Sequence, residues 1–385
     1  MDITIMPRLL QGQITAPPSK SMAHRLLICG ACADKNTQLI CPETGHDIAA
    51  TVQCLNALGA DIQPTDDGYY IRPIRKPVQN AVLHCKESGS TLRFLLPVVG
   101  ALGVDATFVM EGRLPCRPLS PLWEEMERMG CRLSRPSENT LRCQGKLEKG
   151  HYCISGNVSS QFVSGLLLAL PLIGDPSHLQ IRGTLESAPY VDMTVAAVQM
   201  FKLGAPDVIT VEGDWSNAAF WLAANCLGSE IDIQGLDSQS MQGDRCIAAL
   251  LPQLRERATI SMANIPDLMP IMAVVAAARQ GAVFTDIGRL RLKESDRIAS
   301  TTAMITALGG QTEVTANALT IHGTGLQGGN VDSFGDHRIA MAAAIAATVC
   351  KEPVTIAGAQ CVHKSYPKFW DDYARLGGNY GQQLR

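Results

Sequence analysis

From Ala16 the chain reads APPSKSMAHRLLICGACA, which puts Lys20, His24 and Arg25 in the first two turns of an Ala- and Leu-rich helix. A core helix gains nothing from three cationic or titratable side chains at its start, so they point to an anionic ligand. Similar residue types recur downstream at first-helix starts. Ser21 accompanies Lys20 and Arg25, Glu87–Ser88–Gly89–Ser90 opens a second helix, and Ser159–Ser160–Gln161 a third. Asp267 opens a fifth and Asp336–His337–Arg338 a sixth, while strand-to-helix loops add Arg117, Ser187, the run Lys293–Glu294–Ser295–Asp296–Arg297, and Lys364. A helix N-terminus offers unpaired N–H groups and about half a positive charge, which suits phosphate or carboxylate. Singly, each has an ordinary explanation: SSQ and SGS are good N-caps, and KESDR makes a solvated charge run. Their recurrence at two positions of one repeating unit is what argues for a shared anion site.

The unit itself is read from six apolar helical stretches, each followed by a short strand, a loop and an amphipathic helix. Ser19, Ser88, Ser159, Asp214, Asp267 and Asp336 mark comparable first-helix starts, at intervals of 69, 71, 55, 53 and 69 residues. Gly59, Gly130, Gly204, Gly309 and Gly377 close five of the second helices as C-caps; the fourth, ALLPQLRERA, lacks its glycine. The long intervals leave room for a hairpin after the cap, as in GADIQPTDDGYYIRPI. The two short ones, with GAPDVITVEG and RATISMANI, leave room for about one strand. The sixth copy runs out at GGNYGQQLR, so the N-terminal strand pair in MDITIMPRLLQGQITA is expected to complete it, making one domain discontinuous.

With 385 residues, 46% hydrophobic and 18% charged, the chain has the bulk for two or three globular domains. A net charge of −3 excludes a global basic field for nucleic acid, so anions must be held by local clusters. The 13 cysteines are odd in number and mostly in apolar runs, which predicts reduced core thiols; the C-x-x-C at Cys29 and Cys32 lies mid-helix and reads as packing. No signal-peptide pattern and no membrane-length apolar run is read, so a cytoplasmic location is expected.

At PPSKSMAHR, ESGSTLR, CRPLSPL, GNVSSQFVSGLLLALP, SAPYVDMT, VEGDWSNAAF, IPDLMP, LRLKESDR, GDHRIAMA and HKSYPKF, the sequence closely resembles the 5-enolpyruvylshikimate-3-phosphate synthase family of enolpyruvyl transferases. These stretches run in order from Pro17 to Phe369. The resemblance implies an α/β fold. It would be a two-domain inside-out α/β barrel of six βαβαββ-type repeats, two of them shortened, three per domain. It implies one domain over 16–211 on the shikimate 3-phosphate side, and another from 1–15 plus 212–385, with the active site in the cleft between.

The implied reaction transfers the enolpyruvyl group of phosphoenolpyruvate to the 5-hydroxyl of shikimate 3-phosphate and releases phosphate. The resemblance assigns Lys20, Ser21, Arg25, Ser159, Ser160, Gln161, Ser187, Asp267 and Lys293 to shikimate 3-phosphate. Lys20, Gly89, Arg117, Gln161, Arg297, Arg338 and Lys364 are assigned to phosphoenolpyruvate. Among the catalytic candidates, Asp267 is the base for the hydroxyl, and Glu294 and Lys20 protonate the methylene or the leaving phosphate; Lys364 is the fourth. No metal and no organic cofactor is expected, nor any nucleic-acid or membrane partner. A monomer is expected, with the shortened repeats as the place where an oligomer would form. Glu87 departs from the Asn or Asp usual there. The rival from the sister enzyme acting on a UDP-amino sugar would carry Lys-Asn where Lys20–Ser21 stands, and a Gly-rich surround for Cys116. The third reading is a catalytically inactive phosphometabolite-binding relative.

Overall fold

The computed structural model describes residues 1–204 and 206–383. The chain forms two compact units, one of Pro18–Val211 and one of Met1–Pro17 with Glu212–Arg385. Both are mixed α/β.

In the 18–211 unit, three helices share one kind of beginning. Lys20–Ala31, Gly89–Leu102 and Ser160–Ile173 are capped by Ser19, Ser88 and Ser159, whose side chains accept from the N–H groups of Met22, Thr91 and Gln161. Such caps are worth about 1 kcal/mol each. The second of these helices is buried on nearly every face, so its sequence carries no polar stripe to locate a solvent side. It packs hard against the third. A Cβ on Gly165 would lie 2.2 Å from the carbonyl oxygen of Arg93, so only glycine allows that approach.

Three sheets accompany these helices. The first runs Val208–Thr210, Thr37–Ile40, Gly68–Arg72, Asp61–Thr65, and the second Ala81–Lys86, Ala106–Met110, Thr140–Gly145, Cys131–Ser137. Each is a parallel pair extended by an antiparallel hairpin. The third has only the parallel pair His151–Ser155 and His178–Arg182.

The other unit repeats the plan. Helices Trp215–Cys226 and His337–Ala347 are capped by Asp214 and Asp336, and every residue of His337–Ala347 is buried. Strands Ala258–Ser261, Ala282–Thr285, Ala318–His322 and Gln311–Val314 make one four-stranded sheet, and Gly329–Asp332, Val354–Ala357, Asp2–Met6 and Asn379–Gln383 another. Among the described residues, Glu230–Gln234 pairs only with Gln11–Thr15. Trp221 stacks on Phe369 at 5.0 Å between ring centroids and donates from Nε1 to the Tyr366 hydroxyl at 3.3 Å. That aromatic cluster anchors the helix Phe369–Arg375 just beyond Lys364.

Two expectations need amendment. The N-terminal strands do not stay together: Asp2–Met6 joins Asn379–Gln383, whereas Gln11–Thr15 pairs with Glu230–Gln234 in a different sheet. Leu384 and Arg385 lie outside the described residues. The short intervals do hold one strand each, Val208–Thr210 pairing with Thr37–Ile40 and Ala258–Ser261 with Ala282–Thr285. Parallel partners are chosen by packing, which pattern in one segment cannot show. Finally, ALLPQLRERA forms no full helix: its first two residues end the four-residue helix Ile247–Leu250, which runs into a 3-10 turn at Leu251–Arg255. Pro252 supplies no N–H to continue the α ladder.

Candidate active site

Within the 18–211 unit the predicted cations gather at the starts of the buried helices. Lys20, in the first turn, donates from Nζ to Oδ2 of Asp47 at 2.8 Å, with both side chains about one-sixth exposed. Arg25 lies one turn further on and is almost completely enclosed. Its Nε donates to Thr194 Oγ1 at 2.7 Å, Nη1 to the Ser21 carbonyl at 2.5 Å, and Nη2 to the Tyr190 carbonyl at 2.7 Å. Burial pushes its pKa down to about 10, so it remains charged at neutral pH. Ser187 is buried with φ +54° and heads the helix Ala188–Lys202 that carries Tyr190 and Thr194.

His24 is neutral. Burial, helped by Lys20 and Arg25, holds its pKa well below the ordinary histidine value, and Nδ1 meets Thr51 Oγ1 at 2.8 Å. Thr51 continues to Thr91 at 2.7 Å, and Thr91 donates to Ser88 Oγ at 2.7 Å. This buried relay ties the cap of the second helix to the first, fixing where Gly89 sits.

Gly89 lies against two guanidiniums. A Cβ there would come 2.7 Å from Nη1 of Arg117 and 3.3 Å from Nη1 of Arg93. Gln161 accepts from Arg93 Nη1 at 2.7 Å and donates to Ser90 Oγ at 3.0 Å. Arg93 and Arg117 are both buried. Ser159 caps its helix, and Ser160 beside it is buried. A capping hydroxyl accepts with a lone pair and keeps its O–H to give.

The other unit holds a dense charge network. Asp267 sits in a 3-10 turn, Pro266–Leu268, ahead of the helix Met269–Ala278. Its Oδ1 accepts from Arg297 Nη1 at 2.5 Å and Lys293 Nζ at 3.4 Å, and its Oδ2 from Arg338 Nη2 at 2.9 Å. Burial alone would raise its pKa, but Arg338, Lys293 and Arg297 outweigh it and hold the carboxyl well below the usual carboxylate range. Arg297 is 1% exposed and serves three carboxylates, giving Nη2 to Glu294 at 2.7 Å and Nε to Asp336 at 3.0 Å as well. Burial works against its charge, yet Asp336, Glu294 and Asp267 together keep its pKa raised. Lys293 is depressed, chiefly by burial. Lys364 stands at the edge of this group and donates to the Gly335 carbonyl at 2.7 Å.

Four residues of these networks lie outside the site assignments drawn from the sequence. Asp47 holds Lys20 and lies in the first turn of the helix His46–Ala57, directly after a strand-to-helix loop of the kind already marked by Arg117, Ser187 and Lys293, so that rule carried one turn further could have found it. Arg93 stands in the quoted ESGSTLR stretch. Asp336 reads as a cap, and it is one, but its second oxygen holds Arg297. Asp244 has no local signal, because only the fold brings its buried carboxylate near Asp267 and Arg338.

The family model described as EPSP synthase (3-phosphoshikimate 1-carboxyvinyltransferase) matches residues 6–257 and 251–373. The 3-phosphoshikimate 1-carboxyvinyltransferase of Clostridium kluyveri is 37% identical over 418 residues, covering 98% of this chain and 97% of that protein. The protein of the same name from Clostridium perfringens is 38% identical over 416 residues, covering 98% of each. The solved structure of EPSP synthase from Acinetobacter baumannii matches with a TM-score of 0.79 at 22% identity, covering 99% of this chain and 100% of that one. The enolpyruvyl transferase NikO from Streptomyces tendae matches at 0.74 and 16%, covering 100% and 99%. These two structures speak for the fold, a mixed α/β architecture. The sequence matches speak for more, and the chain belongs to the EPSP synthase family.

Proposed function

We propose that this chain transfers the enolpyruvyl group of phosphoenolpyruvate to the 5-hydroxyl of shikimate 3-phosphate, by addition and elimination through a tetrahedral intermediate, with release of phosphate. The observation that carries this is near-full-length identity of 37–38% to relatives named for that activity. The fold is read more finely as six βαβαββ-type repeats, three in each of 16–211 and 1–15 plus 212–385, arranged as an inside-out barrel. The third and fourth repeats lack their hairpins. The first of these domains is assigned to the shikimate 3-phosphate side.

The assignments follow the chemistry of four anionic groups, two phosphates and two carboxylates. Ser21, Arg25, Ser159, Ser160, Gln161, Ser187 and Lys293 are assigned to shikimate 3-phosphate, where hydroxyl donors and charge-assisted bonds hold phosphate well. Gly89, Arg117, Gln161, Arg297, Arg338 and Lys364 are assigned to phosphoenolpyruvate, whose carboxylate and phosphate match planar guanidinium forks. Lys20 serves both ligands and, with Glu294, is a candidate donor to the methylene or the leaving phosphate. Lys364 supplies charge at the reacting end.

Asp267 is the proposed base for the 5-hydroxyl proton. While Arg297, Lys293 and Arg338 hold its oxygens, it accepts a proton poorly. Anionic substrate groups at Arg297 and Arg338 would partly neutralise that cationic hold. The affinity of Asp267 for a proton then rises when the hydroxyl is bound, so substrate charge prepares the base. The oxygen of the 5-hydroxyl forms its bond to the central carbon of phosphoenolpyruvate, and the methylene gains a proton. Loss of phosphate and of a proton from the methyl group restores the alkene.

Phosphate release tests the reading. Activity with shikimate 3-phosphate and phosphoenolpyruvate is expected; activity confined to a UDP-amino sugar would replace it with the sister reaction. The Lys20–Ser21 pair, where that enzyme would carry Lys-Asn, favours the first. Binding of both substrates without turnover would mark an inactive relative. Among the described residues, no helix is long and apolar enough to cross a membrane. A monomeric cytoplasmic enzyme is the accompanying proposal.

A further inference from the structure

Four of the sheets follow one plan. The strand after the first helix of the repeat has a parallel strand on one side and an antiparallel strand on the other. His178–Arg182 holds the same place after the helix Ser160–Ile173, yet among the described residues it pairs only with His151–Ser155. The N–H of His178 donates to the Gly150 carbonyl at 3.2 Å, and the Arg182 carbonyl accepts from Gly156 at 2.9 Å. Residues 178, 180 and 182 thus turn their backbone groups toward that partner. By alternation, the N–H and C=O groups of Leu179 and Ile181 point out of the open edge.

Other one-sided strands of this molecule are blunted by side chains, a common defence against unwanted pairing. Asn56 accepts from the N–H of Ile62 at 2.8 Å and donates to its carbonyl at 3.1 Å. Asn225 does the same for Ile231, at 2.8 Å in both bonds, on the strand Glu230–Gln234 that also lacks a hairpin. Glu125 and Arg128 hold the Cys153 N–H and the His151 carbonyl on the far edge of His151–Ser155. Among the described residues, no side chain does this for Leu179 or Ile181. The nearby helix shows that a cover is missing too. Leu58, Met129, Leu308 and Leu376, each just before a capping glycine, are at most 8% exposed, whereas Leu203 before Gly204 is 88% exposed. Val195 and Met200 on the helix Ala188–Lys202 are exposed as well.

We infer that the open edge of His178–Arg182 takes an extended segment of another protein by antiparallel strand addition, with apolar residues turned inward and acidic residues opposite His178 and Arg182. The direction follows the four sister edges. Leu179 and Ile181 would each exchange both backbone bonds with the residue opposite, and such main-chain bonds supply the affinity of this binding mode. Their side chains pack toward the core, so the segment's side chains at those two positions also face inward. His178, Gln180 and Arg182 are exposed on the solvent face, where an acidic residue opposite a cation stabilises the pairing. The inference is independent of the transfer reaction, and its experiment uses no substrate.

The probe is the peptide Ser-Ser-Glu-Ile-Thr-Ile-Glu-Ser-Ser, titrated into the full chain by calorimetry. One-to-one binding with Kd below about 1 mM is expected. Lysine in place of both glutamates should weaken it tenfold or more, and Arg182→Glu should reverse that preference. Methylating the backbone nitrogens of the two isoleucines should abolish binding. Hydrogen exchange at the Leu179 and Ile181 amides should slow when the unmethylated peptide is bound. Absence of binding overturns the inference, and so does binding that survives methylation or ignores Arg182→Glu. Self-association of the chain without peptide, lost in Arg182→Glu, also overturns it by making a second copy the occupant. If Arg182→Glu does not fold, the methylated peptide and the exchange measurement on the wild-type chain decide.

Discussion

Gly89 and Arg117 are packed so closely that a Cβ on the glycine would stand 2.7 Å from Nη1 of the arginine. Carbon that near a guanidinium nitrogen forces the arginine tip to shift, and Arg93 on the other side leaves little room to do so. Gly89→Ala should therefore raise KM for phosphoenolpyruvate severalfold. It should weaken a bulkier phosphonate mimic by a larger factor, since that ligand has less freedom to avoid the methyl group. Inhibition titrations alongside substrate kinetics measure both; equal losses would contradict the packing argument.

Asp267 ties together three cations that otherwise repel one another. Asp267→Ala is predicted to lower turnover by a hundredfold or more, within the roughly 10²–10⁴-fold range of general acid–base catalysis. Shikimate 3-phosphate binding should stay measurable by calorimetry, because the cations remain. Unchanged turnover in a protein that still binds would remove Asp267 from the role of base.

Asp47 touches the reaction only through Lys20. The pair is mostly enclosed, but asparagine keeps the shape and one acceptor oxygen for Nζ of Lys20, so Asp47→Asn should cost about 1–2 kcal/mol and unfold within a few degrees of wild type. Its effect belongs in kinetics: with Nζ of Lys20 no longer directed by a carboxylate, kcat should fall by tenfold or more. A large loss of thermal stability with normal kcat would show the pair to be structural.

His24 links stability to acid. Its folded pKa is depressed below the ordinary histidine value, so the unfolded chain binds the extra proton more readily. The stability it contributes is complete above an unfolded value of roughly 6.5 and is lost as pH falls from there toward the folded value. Replacing it by glutamine removes that penalty while leaving a group able to meet Thr51. Between pH 7.5 and 5, wild type should lose more melting temperature than His24→Gln by at least about 3 °C, the shift that roughly 1 kcal/mol produces in a domain of this size. Parallel thermal scans check it, and identical slopes would mean that His24 accepts a proton without disturbing the relay to Ser88.

Much of the molecule was legible in local chemistry. Ser19, Ser88, Ser159, Asp214 and Asp336 do cap helices, and glycines 59, 130, 204, 309 and 377 all take positive φ where the caps require it. Among the described residues, the hairpins fall in the long intervals and are missing from the short ones. The recurrence of Lys, Arg, Ser and Asp at helix starts and loops likewise singled out Arg25, Gln161 and Asp267, with Lys293, Arg297 and Arg338 around the last, but not Thr194, Tyr190 or Arg93 beside the other two.

What the sequence determined by itself was therefore the identity and spacing of these groups, because caps, turns and periodicity depend on neighbours a few residues apart. Only the tertiary structure decided that Gln11–Thr15 leaves Asp2–Met6 for another sheet, that Asp47 meets Lys20, and that Arg297 is shared by Asp267, Glu294 and Asp336. Strand pairing and buried charge networks depend on which distant segments pack together. The proton affinities of Asp244 and Asp267 follow from that packing, since burial and neighbouring charge set them and neither is a property of the local sequence.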